Sequence, residues 1–263
     1  MLSRLSRPQF LAACGLPVVA LLATAVFAPL PFSVAQPGST ADVLSEYQGD
    51  EVIRISGAPT RETEGQLRMT TIVATGPDAR VSLGDVLGNW FDTDRAVMPL
   101  DAVYPEGDDV EEVEKYNLDQ MRESQDTATA AALGYLRMDA SDVDVRLDLG
   151  DVGGPSAGLL LSLGIIDKLA GDGHGGDLTG GRTIAGTGTI TADGKVGAVG
   201  GVPLKTQAAR RDGATVFLVP KDECAQARTE LPKGLRLVPV TTLKGAVDAL
   251  GALNSGKGEV PSC

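Results

Sequence analysis

Histidine is almost absent from the sequence. Its 263 residues include one histidine, His174, in the glycine-rich run 171–177. A Ser-His-Asp hydrolase needs a histidine base that a separate acidic residue orients, and His174 follows Ser156 by only 18 positions, which leaves no room for the strand that would carry that acid. Together with Asp172 and Asp177, the histidine also fits no metal-ligand spacing. We therefore predict a surface loop here and no metal site.

Basic residues are scarce as well. Lysine and arginine number 23 against 35 aspartates and glutamates, which gives a net charge of −12. Nucleic-acid binding needs clustered cationic side chains to meet the phosphates, so we expect no nucleic-acid partner. The sequence also contains no G-x-x-x-x-G-K-[ST], the loop that cradles nucleotide phosphates, so we expect neither ATP nor another cofactor.

Charge is missing altogether from residues 8–41, and residues 10–34 are almost wholly apolar. This run exceeds the ~20 residues that a helix needs to cross a bilayer, and Arg4 and Arg7 favour a cytoplasmic N-terminus. We interpret residues 1–7 as a cytoplasmic region and 8–36 as a transmembrane anchor, which predicts a single-pass protein of the cell membrane with an extracytoplasmic body. A cleaved signal peptide, giving a secreted protein, is the alternative, because residues 33–35 resemble a cleavage site.

Two of the three cysteines, Cys224 and Cys263, would meet an oxidising compartment if the body is extracytoplasmic, and they could then form a disulfide. Two unrelated thiols are the alternative, because the sequence does not show whether the two Cα atoms approach closely enough. Residues 254–263 are otherwise a polar tail, unless Cys263 ties them down.

We predict that residues 42–136 form a small α+β segment, which follows a linker at residues 37–40. Alternating apolar residues predict strands at 52–55 and 67–73, joined in a small sheet. Ser82 can cap a helix, and apolar spacing then predicts a long acidic helix over 109–135. The predicted core residues of the first helix are Leu83, Val86, Leu87, Trp90 and Phe91. Those of the long helix are Val110, Val113, Met121, Ala128, Ala131 and Ala132.

Residues 143–253 predict an α/β domain with a mixed sheet and helices, because strand-like and helix-like segments alternate. The predicted strands are 143–149, a hairpin over 183–199, 215–219 and 235–240. The predicted helices are 155–169, 202–211, 222–229 and 243–253.

A glycine-flanked serine lies between a predicted strand and helix in the run 154–158. Proline favours the first helical position, so Gly154 should be the cap and Ser156 should lie inside the first turn, with its hydroxyl free. The amides at a helix start suit a developing oxyanion. We therefore predict Ser156 as a nucleophile and Gly154, Pro155, Ala157 and Gly158 as the residues of the oxyanion and substrate site.

A lysine is the remaining candidate for the base, because lysine can replace histidine beside a serine nucleophile. Lys205 lies at the start of a small-residue helix, 49 positions after Ser156. Its pKa would have to fall from ~10.4 towards ~7–8, which requires burial. The apolar neighbours in sequence could provide that burial.

A Gly-Pro-Ser-Ala-Gly motif is followed by a predicted strand hairpin and then by Gly-Gly-x-x-x-Lys. This order of motifs resembles the proteolytic domain of the Lon protease family over residues 143–250. The resemblance implies that Ser156 is the nucleophile, Lys205 the general base and Thr187 the residue that orients the lysine. It also implies polypeptide substrates and homo-oligomeric rings. The sequence differs from the family's pattern at Gly153, where an aspartate is common.

The N-terminal half is similar to membrane-anchored bacterial relatives that carry a PDZ module before a Lon-type protease, although no PDZ module separates residue 136 from 143 here. The resemblance implies an ATP-independent serine endopeptidase with a Ser-Lys dyad that acts on flexible or unfolded extracytoplasmic polypeptides. A catalytically weak or inactive, membrane-anchored interaction module is the alternative.

Overall fold

The structure, a computed structural model, describes residues 7–47, 49–105, 109–150 and 154–263. Its helices are α1 (Arg7–Phe27), α2 (Leu83–Trp90), α3 (Leu100–Val103), α4 (Val110–Leu136), α5 (Gly158–Leu169), α6 (Val202–Arg211), α7 (Cys224–Arg228) and α8 (Leu243–Ser255). Its strands are β1 (Phe32–Asp42), β2 (Glu46–Tyr47), β3 (Asp50–Glu51), β4 (Ile53–Ser56), β5 (Gln66–Ala74), β6 (Ala96–Pro99), β7 (Asp144–Leu147), β8 (Thr183–Gly186), β9 (Thr189–Ile190), β10 (Val196–Gly197), β11 (Val216–Pro220) and β12 (Arg236–Val240). This alternation confirms the predicted α/β class.

One mixed sheet organises these elements in the order β12-β11-β8-β5-β1-β6. The strands from β12 to β5 are parallel to their neighbours, whereas β1 is antiparallel to both β5 and β6. Every residue of β11 is buried, as expected of a parallel strand that is covered on both faces. The predicted hairpin over 183–199 is shorter in the structure, because β8 joins the main sheet and only β9 and β10 pair as a hairpin.

The segments predicted as 42–136 and 143–253 share this main sheet. β5 pairs with β8, and the two strands come from opposite sides of that boundary. The predicted pairing of strands 52–55 and 67–73 is wrong, because β4 pairs with β7 instead. Residue alternation indicates a strand but does not indicate which strand lies beside it.

The N-terminal boundaries also differ from the prediction. α1 ends at Phe27, and β1 then contains both the predicted anchor boundary at residue 36 and the predicted linker at 37–40. Ser33 and Ala35 are buried in β1, so this part of the apolar run belongs to the protein core. In the described ranges, no helix combines the length and apolarity that a membrane crossing requires. Residues 1–6 lie outside the described residues.

Helix α4 packs against α5 and supports its N-terminal end. The predicted buried side of α4 is observed at Val113, Met121, Ala128, Ala131 and Ala132. Val110 is exposed instead, because it is the first residue of the helix. α5 is buried over most of its length, so α4 and the main sheet together fix the place where the chain enters α5.

Helix α2 has the predicted cap but only part of the predicted core stripe. Ser82 and Asp85 form a reciprocal capping box. Val86 is buried, whereas Leu87, Trp90 and Phe91 are 54%, 65% and 82% exposed. Leu83 is half-buried. The apolar spacing therefore predicts the helix correctly, but only Val86 of the five predicted core residues is buried.

The glycine-rich run around His174 is a surface loop, as predicted. Asp172 accepts a hydrogen bond from the His174 amide at 2.8 Å. At the base of the loop, the Arg61 guanidinium lies 3.2 Å from a carboxylate oxygen of Asp177 and 4.0 Å from one of Asp167. Within the described residues, no group of histidine, cysteine and acidic side chains could hold a metal ion.

Cys224 and Cys263 form a disulfide, with their Cα atoms 5.3 Å apart. The bridge ties the C-terminal residues 254–263 to the start of α7. Cys14 is free and exposed. The alternative of two unrelated thiols is therefore wrong for this structure.

Removal of the disulfide should lower the stability of the chain. Cys263→Ser opens a loop with a sequence separation of 39 residues, and the chain-entropy relation gives a loss of roughly 4 kcal/mol in the free energy of unfolding. Urea denaturation of the oxidised proteins measures this loss, and Cys14→Ser is the matched control that should leave the midpoint unchanged. Equal midpoints for Cys263→Ser and the wild type would contradict the prediction.

The buried carboxyl group of Asp167 should make stability depend on pH. Burial raises its pKa from 3.8 to about 6, although the Leu178 amide donates to Oδ1 at 2.8 Å. The folded chain therefore holds this proton more tightly than the unfolded chain, and the contribution to stability falls as the pH rises from about 4 to about 6.

The Asp167→Asn variant has no carboxyl group to ionise at this position, so it does not lose this stability as the pH rises. Its Tm, measured relative to the wild type by thermal denaturation, should therefore rise between pH 4 and pH 7. Asp78→Asn changes an exposed carboxylate and serves as the control. A Tm difference that stays constant over this range would contradict the raised pKa.

Candidate active site

The serine lies in a tight turn between β7 and α5. Gly154 has a φ of +93°, a conformation that favours glycine, and Pro155 opens a 3-10 turn that ends at Ala157. Ser156 therefore lies in the middle of that turn, with no capping role. Within the described chain, the Ser156 hydroxyl makes no hydrogen bond. It is thus free to react, as the order of residues predicted.

Helix α4 holds this turn in place through two hydrogen bonds. The Gly154 amide donates to the Asn117 carbonyl oxygen at 3.0 Å, and the Ser124 hydroxyl donates to the Pro155 carbonyl oxygen at 3.0 Å. The first bond occupies the Gly154 amide, and proline has no amide hydrogen. Neither residue can therefore donate to an oxyanion in this state.

Gly158 brings α5 close to its neighbours. A Cβ atom at this position would lie 2.9 Å from Ile190 Cγ2 and 3.0 Å from Ser124 Oγ. Both contacts are too short, so a larger residue would displace the helix start. Gly158 therefore has a packing role at the start of α5.

The lysine enters the site from α6, which begins after Gly201 in the left-handed conformation. Lys205 is only 4% exposed. Its Nζ donates to Thr187 Oγ1 at 3.1 Å. Burial lowers the pKa of this amine from 10.5 to about 8, and the charge of Glu223 opposes that change.

Thr187 connects the lysine to the serine segment. Its side chain is fully buried in the turn between β8 and β9. Besides accepting from Lys205, its hydroxyl donates to the Ser156 carbonyl oxygen at 3.3 Å, and the Gly188 amide donates to the same oxygen at 3.0 Å. Ser156, Thr187 and Lys205 are therefore brought together, although the contact with Ser156 runs through its backbone.

A single open cleft of about 610 Å³ contains both Ser156 and Lys205 among its lining residues. Gly154 and Pro155 line it as well, and residues 198–200 form part of another wall. Residues from the N-terminal half, including Tyr104 and Tyr116, complete the lining. His174 is exposed in its separate loop, and Gly153 lies outside the described residues. The cleft has the size of a ligand site.

The structure adds residues to this site that the sequence analysis did not identify. Asn117 and Ser124 hold the serine turn, and Glu223 is a buried carboxylate whose charge acts on Lys205. No pattern in the sequence signals the backbone carbonyl of Asn117. Ser124 and Glu223 lie in polar stretches that indicate an exposed surface, and only the packing reveals that both are buried.

Residues 119–250 match the sequence profile described as the Lon protease (S16) C-terminal proteolytic domain. The chain is similar to a Lon protease of Clostridioides difficile (strain 630), with 39% identity over 98 residues, which cover 36% of this chain and 12% of that protein. It is also similar to a Lon protease of Chloroflexus aggregans (strain MD-66 / DSM 9485), with 31% identity over 142 residues, or 47% of this chain and 16% of that protein.

Lon protease 2 of Bacillus subtilis (strain 168) is 30% identical over 124 residues, which cover 45% of this chain and 21% of that protein. The chain thus spans a small part of the length of these relatives. The profile nevertheless covers half of the chain and includes the serine turn, the threonine and the buried lysine. The chain therefore belongs to the family of Lon protease (S16) C-terminal proteolytic domains.

Proposed function

We propose that the chain is an ATP-independent serine endopeptidase in which Ser156 is the nucleophile and Lys205 is the general base. One observation carries this proposal: an amine that is almost fully buried lies in the same cleft as a serine with a free hydroxyl. Burial makes the neutral amine accessible near neutral pH. With a pKa of about 8, roughly one lysine in ten is neutral at pH 7, against about one in three thousand at the ordinary value.

The reaction begins when neutral Lys205 takes the proton of the Ser156 hydroxyl. The Ser156 Oγ attacks a peptide carbonyl, and a backbone amide of the turn stabilises the oxyanion. The Lys205 ammonium then gives its proton to the leaving amine, and the C–N bond breaks. A water molecule, deprotonated by the same lysine, hydrolyses the acyl-enzyme. Each step uses groups of this chain and water alone, so the chemistry requires no nucleotide.

Thr187 orients the base in this mechanism. Its hydroxyl hydrogen points to the Ser156 carbonyl oxygen, so its lone pair accepts from the lysine amine. For proton transfer, the Ser156 side chain must turn towards Nζ. Both groups already line one cleft.

Flexible or unfolded polypeptides are the proposed substrates, since an open cleft admits an extended chain more readily than a folded domain. We propose an extracytoplasmic location, and the Cys224–Cys263 disulfide supports it because such bridges persist in oxidising compartments. Single-pass attachment to a membrane and assembly into a homo-oligomer stay predictions.

The second candidate function is a weak or inactive interaction module. Two observations favour it: within the described chain no hydrogen bond joins the Ser156 hydroxyl to the Lys205 amine, which donates to Thr187, and the Gly154 amide is occupied by Asn117. A site in this state is not fully assembled for catalysis. Catalytic hydrogen bonds commonly tighten only when substrate binds, which keeps the endopeptidase as the first candidate.

Removal of either member of the dyad should abolish peptide hydrolysis. Ser156→Ala removes the nucleophile and Lys205→Met removes the base, and each should lower kcat/KM on unfolded casein by at least roughly a hundredfold. Ser141→Ala and Lys244→Met change an exposed serine and an exposed lysine and are the matched controls. Undiminished cleavage by Ser156→Ala would rule out the proposed chemistry, and absence of cleavage by the wild type would favour the interaction module.

The pH dependence of the reaction should report the buried lysine. Only neutral Lys205 can take the serine proton, so kcat/KM should rise about tenfold per pH unit below its pKa of about 8 and level off above it. Initial rates on a fluorogenic peptide between pH 5.5 and 9.5 measure this rise, the acid limb of the pH profile of kcat/KM. A limb centred near pH 4 or pH 10 would show that a different group, or a solvated lysine, controls the rate.

A further inference from the structure

Glu223 is a buried carboxylate outside the proposed dyad. The residue is 5% exposed and ends the 3-10 turn that precedes α7. Its Oε1 accepts a hydrogen bond from the Val199 amide at 3.0 Å. Its Oε2 is buried and has no hydrogen-bond partner in the described chain. Such an oxygen is costly to bury, so its retention in the core calls for a compensating interaction.

The charged neighbours of this carboxylate identify that interaction. Lys205 and Asp222 are the groups whose charges act on Glu223, and Glu223 is the group whose charge acts on Lys205. Asp222 is exposed, whereas Lys205 is buried. The two buried groups are therefore electrostatic partners, even though they form no direct ion pair among the contacts of the described residues.

The backbone around Glu223 is held firmly. The next residue, Cys224, is bound to Cys263 through the disulfide. On the other side, the hydrogen bond to Val199 connects Glu223 to the cleft, because Val199 lines the cleft together with Lys205 and Ser156. Glu223 thus joins a fixed part of the fold to a wall of the proposed active site.

We propose that Glu223 is a positioning residue for Lys205: it holds the Val199 wall of the cleft and supplies the buried negative charge against which the Lys205 ammonium forms. The inference rests on the proposed function, because the ammonium forms when Lys205 takes the Ser156 proton. In a buried site, water cannot stabilise that new positive charge. A fixed carboxylate can, and it costs no reorganisation at the moment of proton transfer.

This role has a defined sign. The carboxylate favours the charged lysine, so it raises the pKa of Lys205 while burial lowers it. Neutralising Glu223 should therefore move the acid limb of kcat/KM to lower pH. The same change should lower kcat on the plateau, because the ammonium that forms during the reaction loses its counter-charge. KM should change little, since the proposed contact is with the lysine and not with substrate.

Glu223→Gln in the full chain tests the proposal. Glutamine keeps the shape and can still accept from the Val199 amide, so only the charge is removed. We expect the acid limb to move down by on the order of one pH unit and the plateau kcat to fall by at least roughly tenfold. Asp222→Asn removes the neighbouring exposed charge and should leave both quantities unchanged. Glu223→Asp retains a charge and should keep the limb near its wild-type position.

A second readout separates this proposal from the proposed function. The ¹⁵Nζ resonance of Lys205, assigned with Lys205→Arg, gives the lysine titration midpoint without any need for activity. A lower midpoint in Glu223→Gln supports the electrostatic role even if the wild type cleaves no peptide, in which case the proposed function fails alone. An unchanged or higher midpoint overturns the role of Glu223, whatever the activity. If Glu223→Gln does not fold, Glu223→Ala takes its place: a lowered Lys205 midpoint supports the role, and an unchanged or higher midpoint overturns it.

Discussion

The burial of one primary amine is the constraint on which the site depends. An ammonium ion in the protein interior needs either a counter-charge or the loss of its proton. At Lys205 the fold provides one neutral hydrogen-bond acceptor, Thr187, and one carboxylate that is not in direct contact. Burial favours the neutral amine and the carboxylate favours the ammonium, so both protonation states of Lys205 are populated near neutral pH. This environment of Lys205 forms only where three parts of the fold meet: the turn after β8, the start of α6 and the end of β11.

The N-terminal half contributes to the site as well as to the core. β1 and β5 belong to the same sheet as β8, and α4 holds the serine turn through Asn117 and Ser124. Residues before the matched family region also line the cleft, Tyr104 and Tyr116 among them. The position of the serine turn relative to the lysine is therefore determined by both halves of the chain, and the proteolytic part cannot be treated as an isolated unit.

The sequence predicts an element correctly where residues at its own ends mark its boundaries. α6 occupies Val202–Arg211, as predicted, because Gly201 and Pro203 mark its start and small residues follow. The apolar run before residue 36 was ambiguous, because hydropathy does not distinguish a strand buried beside β5 from a segment in lipid. Likewise, Glu223 lies in a charged stretch that indicates an exposed turn. Its burial depends on residues about twenty positions away, and no local pattern contains that information.

A crystal structure of the full chain with a peptide boronic acid would test the central claim most directly, because a boronate forms a tetrahedral adduct with the nucleophile that resembles the reaction intermediate. The account predicts a bond from boron to Ser156 Oγ, with Lys205 Nζ within hydrogen-bond distance of that oxygen and still in contact with Thr187. A boronate bound to another residue, or a Lys205 amine turned away from Ser156 into solvent, would contradict the account.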